Sequence, residues 1–291
     1  MVIIRMTGGL GNQMFEYALY LKFKELGVEV KMEDFTEYEG RSNSRPVQLN
    51  VFGIEYDKVS LDEYYSMTDS NPALINKVLR KVRGRRSKEY EELKFAFDSN
   101  VLALRDNYIT GYFQSDKYFS DIKSKILTAF TFKEEVVSEA RNLLGMNGLN
   151  ALDENSVSIH IRRGDYLNVS DVYGNICTED YYDRAIEYIA NKVENPSFYI
   201  FTNDNDWSSS FMEKYLAAGF NMKLITGSYE SNGYLDMYLM SSCSHNIVAN
   251  SSFSWWGAYL NRNENKIVIA PKRWINNHEY EDIYTDYMIR L

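Results

Sequence analysis

The chain has 291 residues, of which 45% are hydrophobic and 25% charged, so it is long enough for two globular domains and too apolar to be disordered. A formal charge of -9 argues against nucleic acid as a partner, because proteins that bind a phosphate backbone carry a positive surface. The two cysteines and three histidines show no paired metal-ligand spacing, which argues against a zinc site or a disulfide framework.

The first half opens with a strand, a glycine-rich loop and a helix. Residues 2–6 predict the strand, GGLGNQ follows at residues 8–13, and apolar residues at helical spacing continue to Gly27, which ends the helix. A second strand over residues 28–32 alternates apolar and charged side chains and leads to Glu33. This β-loop-α-β order invites comparison with dinucleotide-binding folds.

The glycine-rich loop has interpretations that the residues leave open. Its backbone N–H groups near a helix N-terminus, together with the amides of Asn12 and Gln13, suit a polar or anionic ligand. A tight strand-to-helix turn would need glycine only for backbone freedom. The fingerprint of an NAD-dependent oxidoreductase is incomplete, because its third glycine falls at Met14, although Glu33 stands about where a ribose-binding acid belongs.

A basic segment lies in the first half. Seven basic residues fall between Lys77 and Lys88 in an otherwise acidic chain. Such a run is usually a solvated helix face or loop, and the alternatives are attraction to an anionic membrane, a lipid-linked glycan or nucleic acid. Neither a basic leader nor an apolar run of about 18 residues appears, so we expect a cytoplasmic protein with at most peripheral contact at the inner face of a membrane.

The remaining elements alternate between strands and helices, which predicts parallel, doubly wound sheets. The expected strands cover residues 107–114, 156–161, 197–202, 222–226, 246–250 and 266–270, and the expected helices cover residues 119–130, 133–144, 178–193, 233–244 and 252–260, with another from about residue 206. Residues 145–155 are small and polar, and they mark the predicted boundary between domains 1–150 and 151–291.

The strand at residues 156–161 ends in charged residues. Arg162 and Arg163 follow His160 closely and precede the turn at Asp165. Ligands bind at the carboxyl ends of strands in open α/β sheets, and the guanidinium fork matches phosphate or carboxylate. These residues therefore indicate an anion site, and a surface arginine pair bonded to Asp165 is the alternative.

Four stretches, in order, resemble the bacterial α-1,2-fucosyltransferases of glycosyltransferase family 11. They are GGLGNQMFEYA from Gly8, HIRRGDY from His160, LDMYLMSSCSHNIVANSSFSWWGAYL from Leu235 and IVIAPKRW from Ile267, with GYFQ from Gly111 and FTND from Phe201 as weaker matches. The resemblance implies a GT-B-like α/β fold, in which two Rossmann-type doubly wound domains face a cleft, residues 1–150 on the acceptor side and residues 151–291 binding GDP-fucose. It also implies inverting transfer of L-fucose from GDP-β-L-fucose to the 2-hydroxyl of a terminal galactose, without metal or other cofactor.

The resemblance also implies roles for particular residues. The implied donor-binding residues are Gly9, Gly11, His160, Arg162, Asp236, Ser251, Ser252 and Phe253. The implied catalytic residues are Arg162 on the departing GDP, Asn12 orienting the fucose or the attacking hydroxyl, and Asp165 fixing the loop or the nucleotide. Physical reasoning agrees at Arg162, because a metal-independent transferase must stabilise the charge that develops on GDP with fixed cations. Strand geometry points Arg163 to the opposite face, where it would pair with an acid.

For other residues near these motifs the sequence gives less specific predictions. Asp165 and Asp171 are the nearest acids that could act as the catalytic base, and neither is singled out. The Asp204-Asn205-Asp206 triplet predicts a nucleotide contact or a helix cap rather than a metal site. The neighbouring tryptophans of SSFSWWG predict core packing. A non-catalytic nucleotide-sugar or glycan-binding module stays an alternative to the enzyme, as does the oxidoreductase.

Overall fold

The computed structural model, which describes residues 1–38, 46–164 and 169–291, divides the chain into units Met1–Ala129 and Phe130–Leu291. This boundary precedes the predicted one after residue 150. The side chain of Asn147 bonds to Thr226 of the second unit, with 2.8 Å from Nδ2 to the carbonyl oxygen and 3.0 Å from the Thr226 nitrogen to Oδ1. Residues 145–155, which are the end of a helix and the loop after it, therefore lie inside the second unit.

The first unit is built on a parallel sheet. Among its described residues the strands are β1 (Val2–Arg5), β2 (Val30–Glu33), β3 (Glu89–Glu91) and β4 (Asn107–Thr110), in the order β2-β1-β4-β3. The helices are α1 (Leu10–Glu25), α2 (Leu61–Thr68), α3 (Leu74–Arg83) and α4 (Lys123–Ala129). The apolar stripe of α1 is fully buried at Phe15, Leu19 and Phe23, which explains why periodicity predicted this helix.

The second unit holds the larger sheet. In the part that the structure describes, β5 (Ser156–Ile161), β6 (Ser197–Thr202), β7 (Asn221–Leu224), β8 (His245–Ile247), β9 (Val268–Ala270) and β10 (Met288–Arg290) pair in parallel in the order β10-β9-β8-β5-β6-β7. The helices are α5 (Glu134–Met146), α6 (Ser170–Tyr173), α7 (Glu179–Ala190), α8 (Asn205–Ala217), α9 (Tyr234–Ser242) and α10 (Ser252–Leu260). This is the Rossmann strand order, so the predicted doubly wound sheet is confirmed.

The core of the second unit explains its strand patterns. Every residue of β5 is buried, because a parallel sheet is covered on both faces. Val157, Ile159 and Ile161 join one apolar cluster, and Ser158 on the other face accepts a hydrogen bond from Asn246 at 2.8 Å. Alternation therefore predicted the strand correctly, although both of its faces are inside.

The tryptophan pair of α10 lies in this core. Trp255 and Trp256 are both fully buried, and the Trp255 indole N–H donates to the carbonyl of Ile283 at 2.6 Å. Trp256 packs edge-on against Phe130, with ring centroids 4.9 Å apart. The prediction of core packing is confirmed. None of the helices in the described ranges is both long and apolar enough to cross a membrane.

Candidate active site

The candidate site lies where the strand order of the second sheet reverses. β5 and β8 are neighbours, but the chain leads from β5 to β6 on one side and from β8 to β9 on the other. Such a reversal opens a crevice at the carboxyl ends of the two strands, where ligands bind in folds of this type. β5 leads there into Arg162 and β8 leads into Ser251, so the arginine motif and the start of α10 share one sheet edge.

Arg163 is held on the face of the sheet that α8 covers. Its backbone N–H donates to Asn203 Oδ1 at 2.9 Å, and its Nε donates to Asp204 Oδ2 at 3.2 Å. Its guanidinium lies over the Trp207 ring, 4.5 Å from the centroid. The predicted pairing of Arg163 with an acid is confirmed, and the acid is Asp204.

His160 and Phe253 meet on the other face. The buried imidazole of His160 lies 5.6 Å from the Phe253 ring, between centroids. Because side chains alternate along an extended strand, Arg162 is on the same side as His160, and it is half-buried there. The structure thus brings His160 and Phe253 together, and Arg162 directly follows the strand that carries His160. That these residues share a ligand stays a prediction.

The N-terminus of α10 completes this edge. The buried hydroxyl of Ser251 accepts the N–H of Phe253 at 3.3 Å and so caps the helix. Ser252 is the first residue of the helix and is half-buried. A capped helix N-terminus presents partial positive charge and N–H groups, which suits an anion beside an arginine.

Two tyrosines of α7 hold the strand ends in place. Tyr181 donates its hydroxyl to the carbonyl of Val248 at 2.6 Å, and Tyr182 donates to the carbonyl of His160 at 2.9 Å. Burial raises the pKa of both hydroxyls well above the usual value, so they stay protonated donors. Sequence reasoning missed them because a tyrosine pair in a helix has no signal that separates this role from core packing.

Asn250 fixes the segment between β8 and α10. Its Nδ2 donates to the carbonyl of Trp274 at 3.0 Å, and its Oδ1 accepts the Cys177 thiol at 3.4 Å. Burial raises the pKa of Cys177 to about 12, so this thiol is a hydrogen-bond donor rather than a nucleophile.

Asp236 of α9 has a buried carboxyl group. Its Oδ2 accepts the Ser228 hydroxyl at 2.7 Å, whereas its buried Oδ1 has no hydrogen-bond partner among the described residues. Burial raises the pKa of Asp236 to about 7. An unsatisfied buried acceptor is what a ligand N–H or O–H would fill. The contacts within the described residues do not join it to Arg162.

Asn203 holds the backbone that follows β5, at residues 163–164. It belongs to the FTND stretch, which is one of the weaker matches to the family motifs. Its Oδ1 accepts the backbone N–H groups of Arg163 at 2.9 Å and Gly164 at 3.3 Å. A Cβ at Gly164 would lie 2.8 Å from Asn203 Nδ2, so the loop needs glycine for this close approach. Asp165 lies outside the described residues, and its predicted role stays a prediction.

The glycine-rich loop of the first unit is fastened from within. Gly8 has a φ of +69°, and a Cβ there would lie 2.6 Å from Asn12 Nδ2. Gln13 is fully buried, and its Nε2 donates to the carbonyls of Gly8 at 3.1 Å and Pro46 at 3.0 Å. The expectation that the Gln13 amide serves a ligand is therefore wrong.

Asn12 lies at the carboxyl ends of the neighbouring strands β1 and β4. Its Oδ1 accepts Gln114 Nε2 at 2.8 Å. Gly9 precedes α1 and Gly11 is in its first turn. The predicted contact of Gly9, Gly11 and Asn12 with the donor stays a prediction.

Buried acids surround this edge of the first sheet. Glu16 accepts two hydrogen bonds from Thr7, one from the backbone N–H at 2.9 Å and one from the side-chain hydroxyl at 2.7 Å. Glu92 accepts the backbone N–H groups of Tyr112 at 2.8 Å and Phe113 at 3.0 Å. Burial raises the pKa of both carboxyl groups. The sequence signal for Glu92 was hidden, because it stands in an acidic run that is typical of exposed chain.

A family model described as Glycosyl transferase family 11 matches residues 1–288. The chain belongs to this family. The protein is therefore a glycosyltransferase, and the resemblance drawn from the four motifs is confirmed.

The family 11 chain has full-length bacterial relatives. It is 30% identical to the O-antigen biosynthesis glycosyltransferase WbnK of Escherichia coli, over 98% of this chain and 99% of that protein. It is also 30% identical to an alpha-1,2-colitosyltransferase of Escherichia coli, over 96% of this chain and 93% of that protein. The rabbit (Oryctolagus cuniculus) galactoside alpha-(1,2)-fucosyltransferase 2 is 26% identical over 88% of this chain and 66% of that protein.

A solved structure supports the fold. A mutant of FUT1 from Arabidopsis thaliana, in complex with GDP, aligns with a TM-score of 0.51 and 12% identity over 92% of this chain and 70% of that one. Together with the two parallel sheets, this confirms the predicted GT-B-like α/β class.

Other acids of the family 11 enzyme fall into structural roles. Asp204 caps α8 by accepting the N–H of Trp207 at 3.2 Å, so the predicted helix cap is confirmed. Asp171 is exposed in α6, and its role as a base stays a prediction. The ranges that the structure describes hold no group of three or more His, Cys, Asp and Glu that fits a metal ion. Metal independence stays a prediction as well.

Glu33 does not serve as a ribose-binding acid. It is buried, and its carboxylate accepts the N–H groups of Phe35 at 2.9 Å and Thr36 at 2.7 Å and the Tyr108 hydroxyl at 2.8 Å. These bonds commit the carboxylate to the protein interior. The oxidoreductase alternative, which Gly9, Gly11 and Glu33 motivated, loses the support of Glu33, and membership of glycosyltransferase family 11 excludes it.

Proposed function

We propose that the protein is an inverting, metal-independent galactoside 2-α-L-fucosyltransferase. It moves L-fucose from GDP-β-L-fucose to the 2-hydroxyl of a terminal galactose, on the cytoplasmic side, during synthesis of a surface polysaccharide such as O-antigen. The observation that carries the proposal is the shared edge of the second sheet, where Arg162 and the capped N-terminus of α10 come together. Such an edge suits a nucleoside diphosphate.

Arg162 acts on the leaving group. Breaking the bond between fucose and phosphate leaves additional negative charge on GDP, and a fixed guanidinium lowers the energy of that charge in the transition state. A preorganised donor of this kind is worth about 2.7–4 kcal/mol in rate. The N–H groups at the start of α10 would share the diphosphate charge with Arg162.

Asp236 and His160 are proposed to bind the nucleoside. The unsatisfied Oδ1 of Asp236 can accept an N–H of guanine or a ribose hydroxyl. His160 lies against Phe253, and together they offer a flat apolar surface with a polar edge.

The acceptor is proposed to be a galactose-terminated glycan. Support for the α-1,2 linkage comes from the names of the colitosyl and fucosyl relatives, and support for the polysaccharide comes from the O-antigen enzyme. Asn12 would orient the fucose or the attacking hydroxyl, and Asp165 would fix the loop or the nucleotide.

GDP-colitose is the second candidate donor, because the colitosyltransferase is as similar to this chain as the O-antigen enzyme is. Colitose differs from fucose by the loss of one hydroxyl group. A site built to bond that hydroxyl would reject colitose strongly, whereas a site without such a partner would accept both. Rates with the two donors at equal concentration decide between them.

The deciding experiment measures release of GDP from GDP-fucose in EDTA, with and without lactose, for wild type and Arg162→Ala. We expect lactose-dependent release that survives chelation and falls on the order of a hundredfold in the variant. Loss of release in EDTA with recovery on added Mg²⁺ would contradict metal independence. Donor binding without release on any galactoside would favour the binding module, and failure to bind GDP-fucose would refute the proposed donor.

A further inference from the structure

The helix α3 has an apolar face that the fold leaves uncovered. The structure describes all of α3, and it buries none of the residues of this helix. The apolar residues are Leu74, Ile75, Val78, Leu79 and Val82, each 45–83% exposed. At about 100° per residue they occupy an arc of about 140°, with the polar residues on the remainder.

The polar side of the same segment is basic. Residues 71–88 contain seven lysines and arginines and no acid, although the whole chain has a formal charge of -9. Lys77 and Lys81 are one turn apart beside the apolar arc, and neither has an ion-pair partner among the described residues. The segment thus joins exposed apolar surface to the uncompensated charges of Lys77 and Lys81.

The helix is held in position by its flanking residues. Asp69, just after α2, accepts Arg83 Nη2 at 3.0 Å and the backbone N–H of Arg86 at 2.8 Å. Arg80 Nη2 donates to the carbonyl of Asn71 at 2.9 Å. These bonds fasten both ends of α3, so its apolar face is presented in the folded protein rather than formed on binding.

We propose that α3 lies on an anionic bilayer, with its apolar face in the interface and Lys77 and Lys81 at the headgroups. An amphipathic helix with a basic polar face is typical of such interfacial anchors. The acidic remainder of the chain is repelled by anionic lipid, so this segment is the part of the described surface that charge complementarity favours.

A second copy of the chain fits this face less well. A twofold contact would place α3 against α3. Lys77 and Lys81 would then flank the same patch on both copies, with no acid of α3 to compensate them. A bilayer of opposite charge removes that repulsion, and it accepts an apolar face without shape complementarity.

Vesicle flotation tests the proposal without reference to donor or acceptor. Wild type should float with vesicles of phosphatidylethanolamine and phosphatidylglycerol, less with phosphatidylcholine alone, and less at high salt. Lys77→Glu with Lys81→Glu should weaken binding about fivefold or more per lysine. Ile75→Ser with Val82→Ser should weaken it at least about tenfold.

Leu93→Ser with Lys94→Glu is the matched control, because it removes an exposed apolar residue and a lysine outside α3. It should float as wild type does. All variants should keep the wild-type rate of GDP release with soluble lactose if the proposed function holds, and flotation is expected even if that function fails.

Three results would overturn the proposal. One is equal flotation of wild type, control and both α3 variants. Another is loss of flotation in the lysine variant alone, which would indicate adsorption without insertion of the apolar face. The third is a wild-type dimer in light scattering that Ile75→Ser with Val82→Ser makes monomeric, without any vesicle binding, which would assign the face to a second copy.

Discussion

In each sheet two neighbouring strands are far apart in sequence, β5 with β8 and β1 with β4, but the two sheets place opposite chemistry at the ends of these strands. At the ends of β5 and β8, Arg162 and the start of α10 offer positive charge and N–H groups to a ligand. At the ends of β1 and β4, the carboxylates of Glu16 and Glu92 already occupy backbone N–H groups of that edge. The shared α/β plan therefore does not decide which sheet binds an anion, because the residues that follow the strands do. This difference agrees with the proposal that the nucleoside diphosphate binds at the edge of the second sheet.

The largest expected effect is at the cationic edge. Arg162→Ala should lower kcat on the order of a hundredfold, because the developing charge on GDP loses its guanidinium. Arg163→Ala is the matched control, since Arg163 pairs with Asp204 and Trp207 on the opposite face. It should lower Tm with a much smaller loss of kcat. Equal losses of kcat in the two variants would break the assignment of one arginine to the ligand and the other to the fold.

At the edge of the first sheet, the loss of a buried carboxylate should lower the stability of the fold and leave nucleotide binding unchanged. Glu92→Ala leaves the backbone N–H groups of Tyr112 and Phe113 without their acceptor, which should lower the free energy of unfolding by about 2 kcal/mol. Denaturant unfolding measures this change, and Glu91→Ala, at the exposed neighbour, should change it little. GDP affinity should stay as in wild type. A weaker GDP affinity at unchanged stability would place Glu92 in the nucleotide site. It would contradict the assignment of the nucleotide to the second sheet alone.

The protonation of Asp236 can show whether the nucleotide donates a hydrogen bond to its unsatisfied Oδ1. Its pKa is raised to about 7, so near that pH the free protein holds about half a proton there, and a hydrogen bond from the nucleotide to Oδ1 would release it. Titration calorimetry in buffers of different ionisation heat should show this release for wild type and not for Asp236→Asn. Asp206→Asn, at an exposed acid of α8, should behave as wild type.

The same carboxyl group should make the stability of the fold depend on pH. The folded pKa lies above the unfolded value near 4, so the folded state binds more protons and loses stability as pH rises between about 4 and 7. Asp236→Asn should flatten the dependence of Tm on pH in that range. Unaltered pH dependence, with no proton release on GDP binding, would remove Asp236 from the nucleotide site.

The smallest expected effects come from removing two helix caps, one in each unit. Ser251 caps α10 in the second unit, and Ser60 caps α2 in the first, where Glu63 completes a capping box. Replacing either serine by alanine should lower the free energy of unfolding by about 1 kcal/mol. Only Ser251→Ala should also weaken GDP binding, by a few-fold in fluorescence or calorimetric titration. Equal GDP affinities would show that the N-terminus of α10 does not contact the diphosphate.

Strong local patterns made much of the second sheet predictable. β6 was predicted with the bounds that the structure shows, and β5 was predicted from the alternation of Val157, Ile159 and Ile161 ahead of a clear turn. β10 was missed, since three residues with one exposed side chain carry little periodicity. The strand expected over residues 107–114 ends at Thr110, where Gly111 and Phe113 redirect the chain.

The first unit was harder to predict for identifiable reasons. β3 consists of polar, mostly exposed residues, and its pairing with β4 comes from distant sequence. α2 carried a usable signal, because Ser60 and Glu63 have the spacing of a capping box. The helix expected over residues 119–130 begins only at Lys123, after short 3-10 turns.

The site could be predicted only where one local stretch carries the chemistry. Arg162 follows a buried strand and precedes a turn, so its position and charge are both visible in sequence. Asn203, Tyr181 and Tyr182 act through bonds to residues many positions away, and such pairs depend on the sheet order. The pKa of Asp236 likewise depends on burial that only the packed fold creates.

The two native cysteines have a practical consequence for spectroscopy. Burial raises the pKa of Cys177 to about 12 and that of Cys243 further, so at neutral pH both thiols resist maleimide reagents. A cysteine introduced at an exposed position such as Met146 should therefore react far faster than either native thiol. A fluorophore attached there would label one defined position, without first removing Cys177 from its bond to Asn250.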